Sequence, residues 1–157
     1  MNVRRRKLRT VSGAALGRRR KRTWACLECG AVLGSPEPKE RTCRFCGGRA
    51  ALFDSHREAV RWDQLVQLQK RGRISDLERQ KRFELVPAKH AIDGEAVHYV
   101  ADFIYRLPPP LSGTRRKIVI EDVKGGAMTP LARLKLSLLR MLLDQAYGSR
   151  AEVRVVE

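Results

Sequence analysis

Asp102, Asp122 and Lys124 are the residues whose types and spacing could do chemistry together. They lie in two apolar, β-branched runs, Tyr99-Val100-Ala101-Asp102-Phe103 and Ile118-Val119-Ile120-Glu121-Asp122-Val123-Lys124-Gly125. Acidic residues are poor strand formers, so carboxylates inside such runs call for a reason. A divalent cation supplies one. Carboxylate oxygens grouped on one face hold Mg²⁺ or Mn²⁺, the cation polarises a phosphate and acidifies a water, and a neighbouring ammonium neutralises developing charge. The competing reading is structural: Asp102 paired with an arginine, and Asp122 with Lys124 as an exposed ion pair of little worth.

Strand alternation sharpens the first reading. Side chains two residues apart share a face, so Asp122 and Lys124 point the same way and Glu121 points to the other side. Asp102 shares a face with Val100 and Ile104. If the two strands are neighbours, Asp102 and Asp122 can approach a common cation. Gly125 and Gly126, directly after Lys124, let a bulky phosphate come close. Glu58 is a third candidate carboxylate. It ends Ser55-His56-Arg57-Glu58, a capping-box pattern that starts a helix, and capping would not prevent it from also serving as a ligand. His56, His90 and His98 show no ligand spacing and read as non-catalytic. Lys135 reads as a solvated helix lysine.

A second constellation is made of cysteines. Cys26 and Cys29, then Cys43 and Cys46, form two C-x₂-C pairs separated by thirteen residues. Each pair can wrap one side of a tetrahedral zinc, and glycines after each allow the tight turn that aims amides at thiolates. Four thiolates would close the site, making it structural. An iron–sulfur cluster and a redox dithiol are the other chemistries such pairs serve. The segment, roughly residues 24–48, resembles a zinc ribbon. Trp24 and Phe45 are expected to pack against it.

These residues need elements to position them. Ser55 should start a helix carrying Val60, Trp62, Leu65, Val66 and Leu68, ending near Gly72. Phe83 to Val86 reads as a first strand, stopped by Pro87. Val97 to Leu107 is a second and Lys117 to Lys124 a third, joined through Pro108-Pro109-Pro110 and Ser112-Gly113. Thr129-Pro130 marks the start of a second helix running to about Tyr147-Gly148. Glu152 to Val156 is a last short strand. The order α-β-β-β-α-β implies an α/β domain with one mixed sheet flanked by helices. The expected division is a basic arm at 1–22, disordered in isolation, a zinc ribbon at 23–50 and the main domain at 51–157.

Charge names the partner class. The chain has 157 residues and a formal net charge of +16, and its first 22 residues hold ten Lys or Arg and no acid. So steep a balance points to a polyanion, and nucleic acid is the default. No apolar stretch is long enough for a signal peptide or a membrane span. A soluble, cytoplasmic protein is expected, with reduced cysteines available for metal.

Glu58 on a helix, Asp102 in Ala101-Asp102-Phe103, and Asp122-Val123-Lys124 on the next strand resemble the PD-(D/E)XK nuclease superfamily, whose common restriction-endonuclease-like core has the same α-β-β-β-α-β order. More narrowly, Phe53-Asp54-Ser55-His56-Arg57-Glu58-Ala59, Arg73-Ile74-Ser75-Asp76-Leu77, Phe83-Glu84-Leu85-Val86-Pro87 and Glu121-Asp122-Val123-Lys124-Gly125 resemble a group of small phage-encoded endonucleases formerly grouped as a domain of unknown function. The resemblance covers residues 52–157. It implies Mg²⁺-dependent hydrolysis of DNA phosphodiesters, with Glu58, Asp102 and Asp122 as metal or water-positioning carboxylates and Lys124 as the catalytic lysine. It also implies a host-cytoplasmic setting and structure-selective targets such as branched recombination intermediates. Resolving a four-way junction takes two cuts and hence a homodimer, for which the second helix could supply the interface, although burial in its own core is favoured. Two features depart from the pattern: Ala101 stands where the family has proline, and Glu121 beside Asp122 leaves a choice of carboxylate in which alternation favours Asp122. The rival function is a non-catalytic zinc-ribbon protein that binds nucleic acid. RNA remains open as a substrate.

Overall fold

The computed structural model describes residues 22–109 and 116–157. Most of the basic arm expected at 1–22, and the expected connection through Pro110, Ser112 and Gly113, lie outside the described residues. In chain order the strands and helices are β1 (Thr23–Cys26), β2 (Val32–Gly34), β3 (Ala50–Phe53), α1 (His56–Lys70), β4 (Ser75–Val86), β5 (Val97–Arg106), β6 (Ile118–Val123), α2 (Pro130–Tyr147) and β7 (Ala151–Val156). The protein is mixed α/β. A small antiparallel sheet has the order β2-β1-β3, and a four-stranded sheet has the order β4-β5-β6-β7. In the larger sheet β5 pairs antiparallel with β4 and β6, while β6 and β7 are parallel, with α2 as the long crossover that parallel neighbours need. From α1 onward the order is α-β-β-β-α-β.

Local sequence explains both helix starts. Ser55 is extended, and its hydroxyl accepts from the Glu58 amide while donating to the Glu58 carboxylate. At α2, the Thr129 hydroxyl accepts from the Ala132 amide, and Pro130 occupies the first turn. α1 buries Ala59, Trp62, Leu65 and Val66. α2 buries Leu136, Leu139 and Leu143 but leaves Leu131, Leu134 and Met141 exposed, so only one stripe of its apolar residues enters the core.

The first strand is longer than expected. It begins at Ser75 rather than Phe83. Charged residues such as Glu78, Lys81 and Arg82 hide its alternation, which suits an edge strand, and pairing with β5 makes it a strand nonetheless. Gln80 interrupts it with a left-handed φ of 53°. Arg79 pairs with Phe103 and Lys81 with Ala101, so this irregularity lies opposite Asp102.

The expected boundary after residue 50 falls inside β3, which pairs along its length with β1. Ala25 of β1 and Phe53 of β3 share one apolar cluster with Trp62 and Leu65 of α1 and with Phe103 and Val119 of the larger sheet. The Trp62 ring lies 6.0 Å from Phe53 and 5.9 Å from Phe103, centroid to centroid. α1 is therefore held between the two sheets, and the cysteine segment and the main domain are packed as one body.

Candidate functional site

The four cysteine sulfurs converge. Cys26 Sγ is 3.5 Å from Cys46 Sγ, Cys29 Sγ is 3.7 Å from Cys43 Sγ, and all four atoms lie within 4.8 Å of one another. Thiolates around a zinc at about 2.3 Å would stand about 3.8 Å apart, so the cage fits a tetrahedral metal such as zinc. All four are free thiols. The amides of Glu28 and Cys29 donate to Cys26 Sγ, and that of Gly48 to Cys46 Sγ. Burial pushes the Cys29 thiol up to about 12, helped by the thiols around it. Burial acts the same way at Cys43 but is outweighed by the Phe45 and Cys46 amides and the neighbouring thiols, which bring it down to about 7. Metal binding at this cage therefore releases protons. The first knuckle docks on α1. Gly30 has a φ of +86°, and a Cβ there would lie 2.9 Å from Asp63 Cα, so glycine is required twice over. The Gln67 side chain donates to the Cys29 carbonyl, and the Trp62 indole to the Cys26 carbonyl.

The carboxylate site forms where β5 and β6 come to the end of their shared ladder. The last pair is Phe103 with Glu121, which leaves Asp102 beside Asp122 across the two strands. There the Asp102 carboxylate replaces a backbone carbonyl by accepting from the Val123 amide at 2.7 Å. Asp122 is buried, and its Oδ2 lies 2.6 Å from Lys124 Nζ. Asp122 Oδ2 is thus ion-paired with Lys124, and the buried Tyr99 hydroxyl lies beside the same carboxylate. Glu58, 4% exposed, reaches the same place from the first turn of α1. Burial pushes Asp102 up to about 7; the Val123 amide and Lys124 oppose this, while the Glu58 and Asp122 charges add to it. The structure thus brings Glu58, Asp102, Asp122 and Lys124 within electrostatic reach of one another. Among the described residues, the four cysteines are the one group of three or more Cys, His, Asp or Glu gathered closely enough to hold a metal as they stand. The donor set, carboxylate oxygens from three elements beside one lysine, is of the kind that suits a hard divalent cation.

Glu121 faces the opposite side, as alternation requires. It is fully buried, held by Arg61 Nε and Nη2 at 2.8 Å each and by the Tyr105 hydroxyl. The arginine lock thus falls on Glu121, while Asp102 and Asp122 lie on the other side of the strand. Arg61→Met should destabilise the fold by about 3–5 kcal/mol, because it leaves a buried charge unpaired. Adding Glu121→Leu should recover much of that loss; urea denaturation of the single and double variants measures both.

Several participants escaped sequence reasoning. Tyr99 sits three residues before Asp102 and puts its hydroxyl near Asp122. Arg57 donates to the Lys124 carbonyl at 3.3 Å, tying α1 to the end of β6. Arg79 is stacked over Phe53, its Cζ 4.0 Å from the ring centroid, and donates to the Leu52 carbonyl. The helical spacing around Arg57 was a usable signal; the other two depend on strand register. Two expectations fail. Phe45 is 65% exposed, with the Arg44 guanidinium 4.9 Å from its ring centroid, because the short cysteine loop turns it away from the small sheet. Lys135 is not simply solvated, since its ammonium donates to the His98 carbonyl. Trp24 is buried as expected.

A mixed four-stranded sheet with two helices, joined to a four-cysteine cage able to hold a metal such as zinc, defines the class of protein. Within it, the chain belongs to the family described as "Protein of unknown function (DUF1064)", which matches residues 48–151. No curated protein and no solved structure matches the chain. The match takes in β3, Glu58, Asp102, Asp122 and Lys124, and begins after the last cysteine. Among the described residues no helix is long and apolar enough to cross a membrane.

Proposed function

We propose that this chain is a metal-dependent endonuclease that hydrolyses phosphodiester bonds in DNA, with the cysteine cage as a structural zinc ribbon. The observation that carries this reading is the convergence of Glu58, Asp102 and Asp122 from three different elements on one buried spot, with Lys124 beside them. The resemblance to the PD-(D/E)XK superfamily supports it, and with it a preference for branched DNA and a host-cytoplasmic setting for a phage-encoded protein. Mg²⁺ or Mn²⁺ held by the three carboxylates would supply Lewis acidity and an acidified water. Lys124 would neutralise charge gathering on the phosphate. Gly125 and Gly126 have nothing within 4 Å of where a Cβ would stand, so a phosphate can approach the backbone beside Lys124. The basic arm adds affinity by neutralising phosphates elsewhere, independently of sequence.

Purified, zinc-loaded protein incubated with linear, nicked and branched DNA in Mg²⁺ should cut DNA and stop when Ca²⁺ replaces Mg²⁺. Tight, salt-dependent binding without cutting of any substrate, RNA included, would favour the non-catalytic nucleic-acid-binding reading. An exposed Leu131, Leu134 and Met141 stripe on α2 is the surface on which a homodimer for paired cuts would form.

A further inference from the structure

A cleft of about 720 Å³ separates the cysteine segment from β4, lined by Trp24, Arg41, Arg49, Leu52, Arg79 and Gln80 among others. Its far wall adjoins the carboxylate site. Gln80 lies opposite Asp102 in the β4–β5 ladder, and Arg79 is within electrostatic reach of Glu58 and Asp102. We infer that this cleft carries the strand of nucleic acid that runs away from the phosphate bound at Asp102 and Asp122, with Arg79 and Arg49 contacting its successive phosphates.

Three observations support the occupant. The lining is cationic: three arginines face one acid, Glu37, and that acid is taken by Arg41 at 2.8 Å. Arg79 holds a buried Nε–H with no hydrogen-bond partner, on a guanidinium already fixed in place by Phe53 and Leu52. Its burial lowers its proton affinity, so a polyanion beside it would remove an electrostatic cost. Arg49 is exposed at the other end, where its backbone is tied down, its amide donating to Glu28 and its carbonyl accepting from the Leu27 amide. The preorganised fork of an arginine suits phosphate oxygens. In this arrangement the cysteine segment is one wall of the substrate channel. It is more than a remote affinity tag.

The proposal rests on the nuclease reading for the identity of the scissile phosphate, but binding tests it separately. Fluorescence anisotropy with labelled single-stranded and duplex DNA, in Ca²⁺ across a salt series, gives affinity and salt slope for full-length, zinc-loaded protein. Arg49→Gln should weaken binding about three- to tenfold and reduce the slope of log K against log salt by about 0.7–0.9, the signature of one lost phosphate contact. Arg79→Gln should do the same, and Arg79→Lys should restore the slope without restoring full affinity. Because Arg79 packs on Phe53, Arg49→Gln decides the matter if Arg79→Gln is misfolded by circular dichroism. Wild-type affinity and slope in Arg49→Gln would overturn the cleft assignment even if the wild type cuts DNA. Loss of binding in Arg49→Gln, with a wild type that cuts nothing, would leave the cleft standing and remove the nuclease.

Discussion

Asp102→Asn should inactivate the protein and stabilise it in the same stroke. On the proposed chemistry, activity in Mg²⁺ falls about 10²- to 10⁴-fold, the range for removing a group that acts on the reacting atoms. Stability moves the other way because of what surrounds the residue. Its folded-state pKa is raised to about 7 by burial, with Glu58 and Asp122 adding to the effect. In the unfolded chain an aspartate titrates near about 3.9. The folded state therefore binds more protons between those values. Stability from this group is full below about pH 4 and is lost as pH rises through about 7. At pH 8 the wild type carries a strained carboxylate, whereas asparagine is neutral and its oxygen can still accept from the Val123 amide. A gain of about 1–3 kcal/mol is expected, limited because the site is partly open to solvent. For a chain of this size that is about 2–12 °C in Tm. The gain should vanish at pH 4. Mg²⁺ should raise the wild-type Tm at pH 8 and leave the variant unmoved. A variant that is less stable than wild type at pH 8 would show that Asp102 is an ordinary structural acid.

Local signals were legible where the structure uses local physics. The start of α1 is written in Ser55 and Glu58, three residues apart, and the start of α2 in Thr129-Pro130. The division of labour between Glu121 and Asp122 also follows from a local rule, the period of two along a strand. The cysteine cage was legible because metal geometry constrains spacing directly. What resisted reading was set by pairing across distance. The Phe103–Glu121 register decides that Asp102 meets Asp122, and nothing in either strand alone specifies it. The left-handed Gln80, which lets β4 deform opposite Asp102, carries no glycine or asparagine to announce it. The Arg61–Glu121–Tyr105 lock joins residues up to sixty positions apart.

The same limit hid the relation between the cysteine segment and the rest of the chain. The cysteine pairs imply a module ending at residue 50, but β3 spans that point and belongs to both sides. One edge of β3 completes the small sheet through β1, and its Phe53 side chain enters the core against Trp62. Its exit leads through Asp54 into the Ser55 cap, and so into Glu58. The metal cage is thus connected to the carboxylate site by a short, continuous path: cage, β1, β3, cap, Glu58.

With zinc in the cage, its removal should therefore unfold more than the cysteine loops. Cys26→Ala, or removal of zinc by a strong chelator, deprives β1 of its anchor; such sites contribute about 10–16 kcal/mol of binding energy when filled. Once β1 separates, the Trp62 indole loses its acceptor at the Cys26 carbonyl, and a buried donor left unpaired costs about 1–3 kcal/mol. Phe53 and Ala25 lose their cover as well, and uncovering a phenylalanine-sized side chain costs about 1.5–3 kcal/mol more. Together these give about 2.5–6 kcal/mol on the α1 side of the core, or about 5–24 °C in Tm. Calorimetry should show one transition that shifts downward as a unit, with the Trp62 environment changing at the same temperature. If α1 and the four-stranded sheet kept their original transition while the cysteine segment melted separately, the shared core would not be coupling them. Loss of a cage metal should also unseat Glu58, since β3, which leads into its helix, is paired with β1, the strand the cage holds, so any stabilisation of the carboxylate site by Mg²⁺ should weaken in parallel.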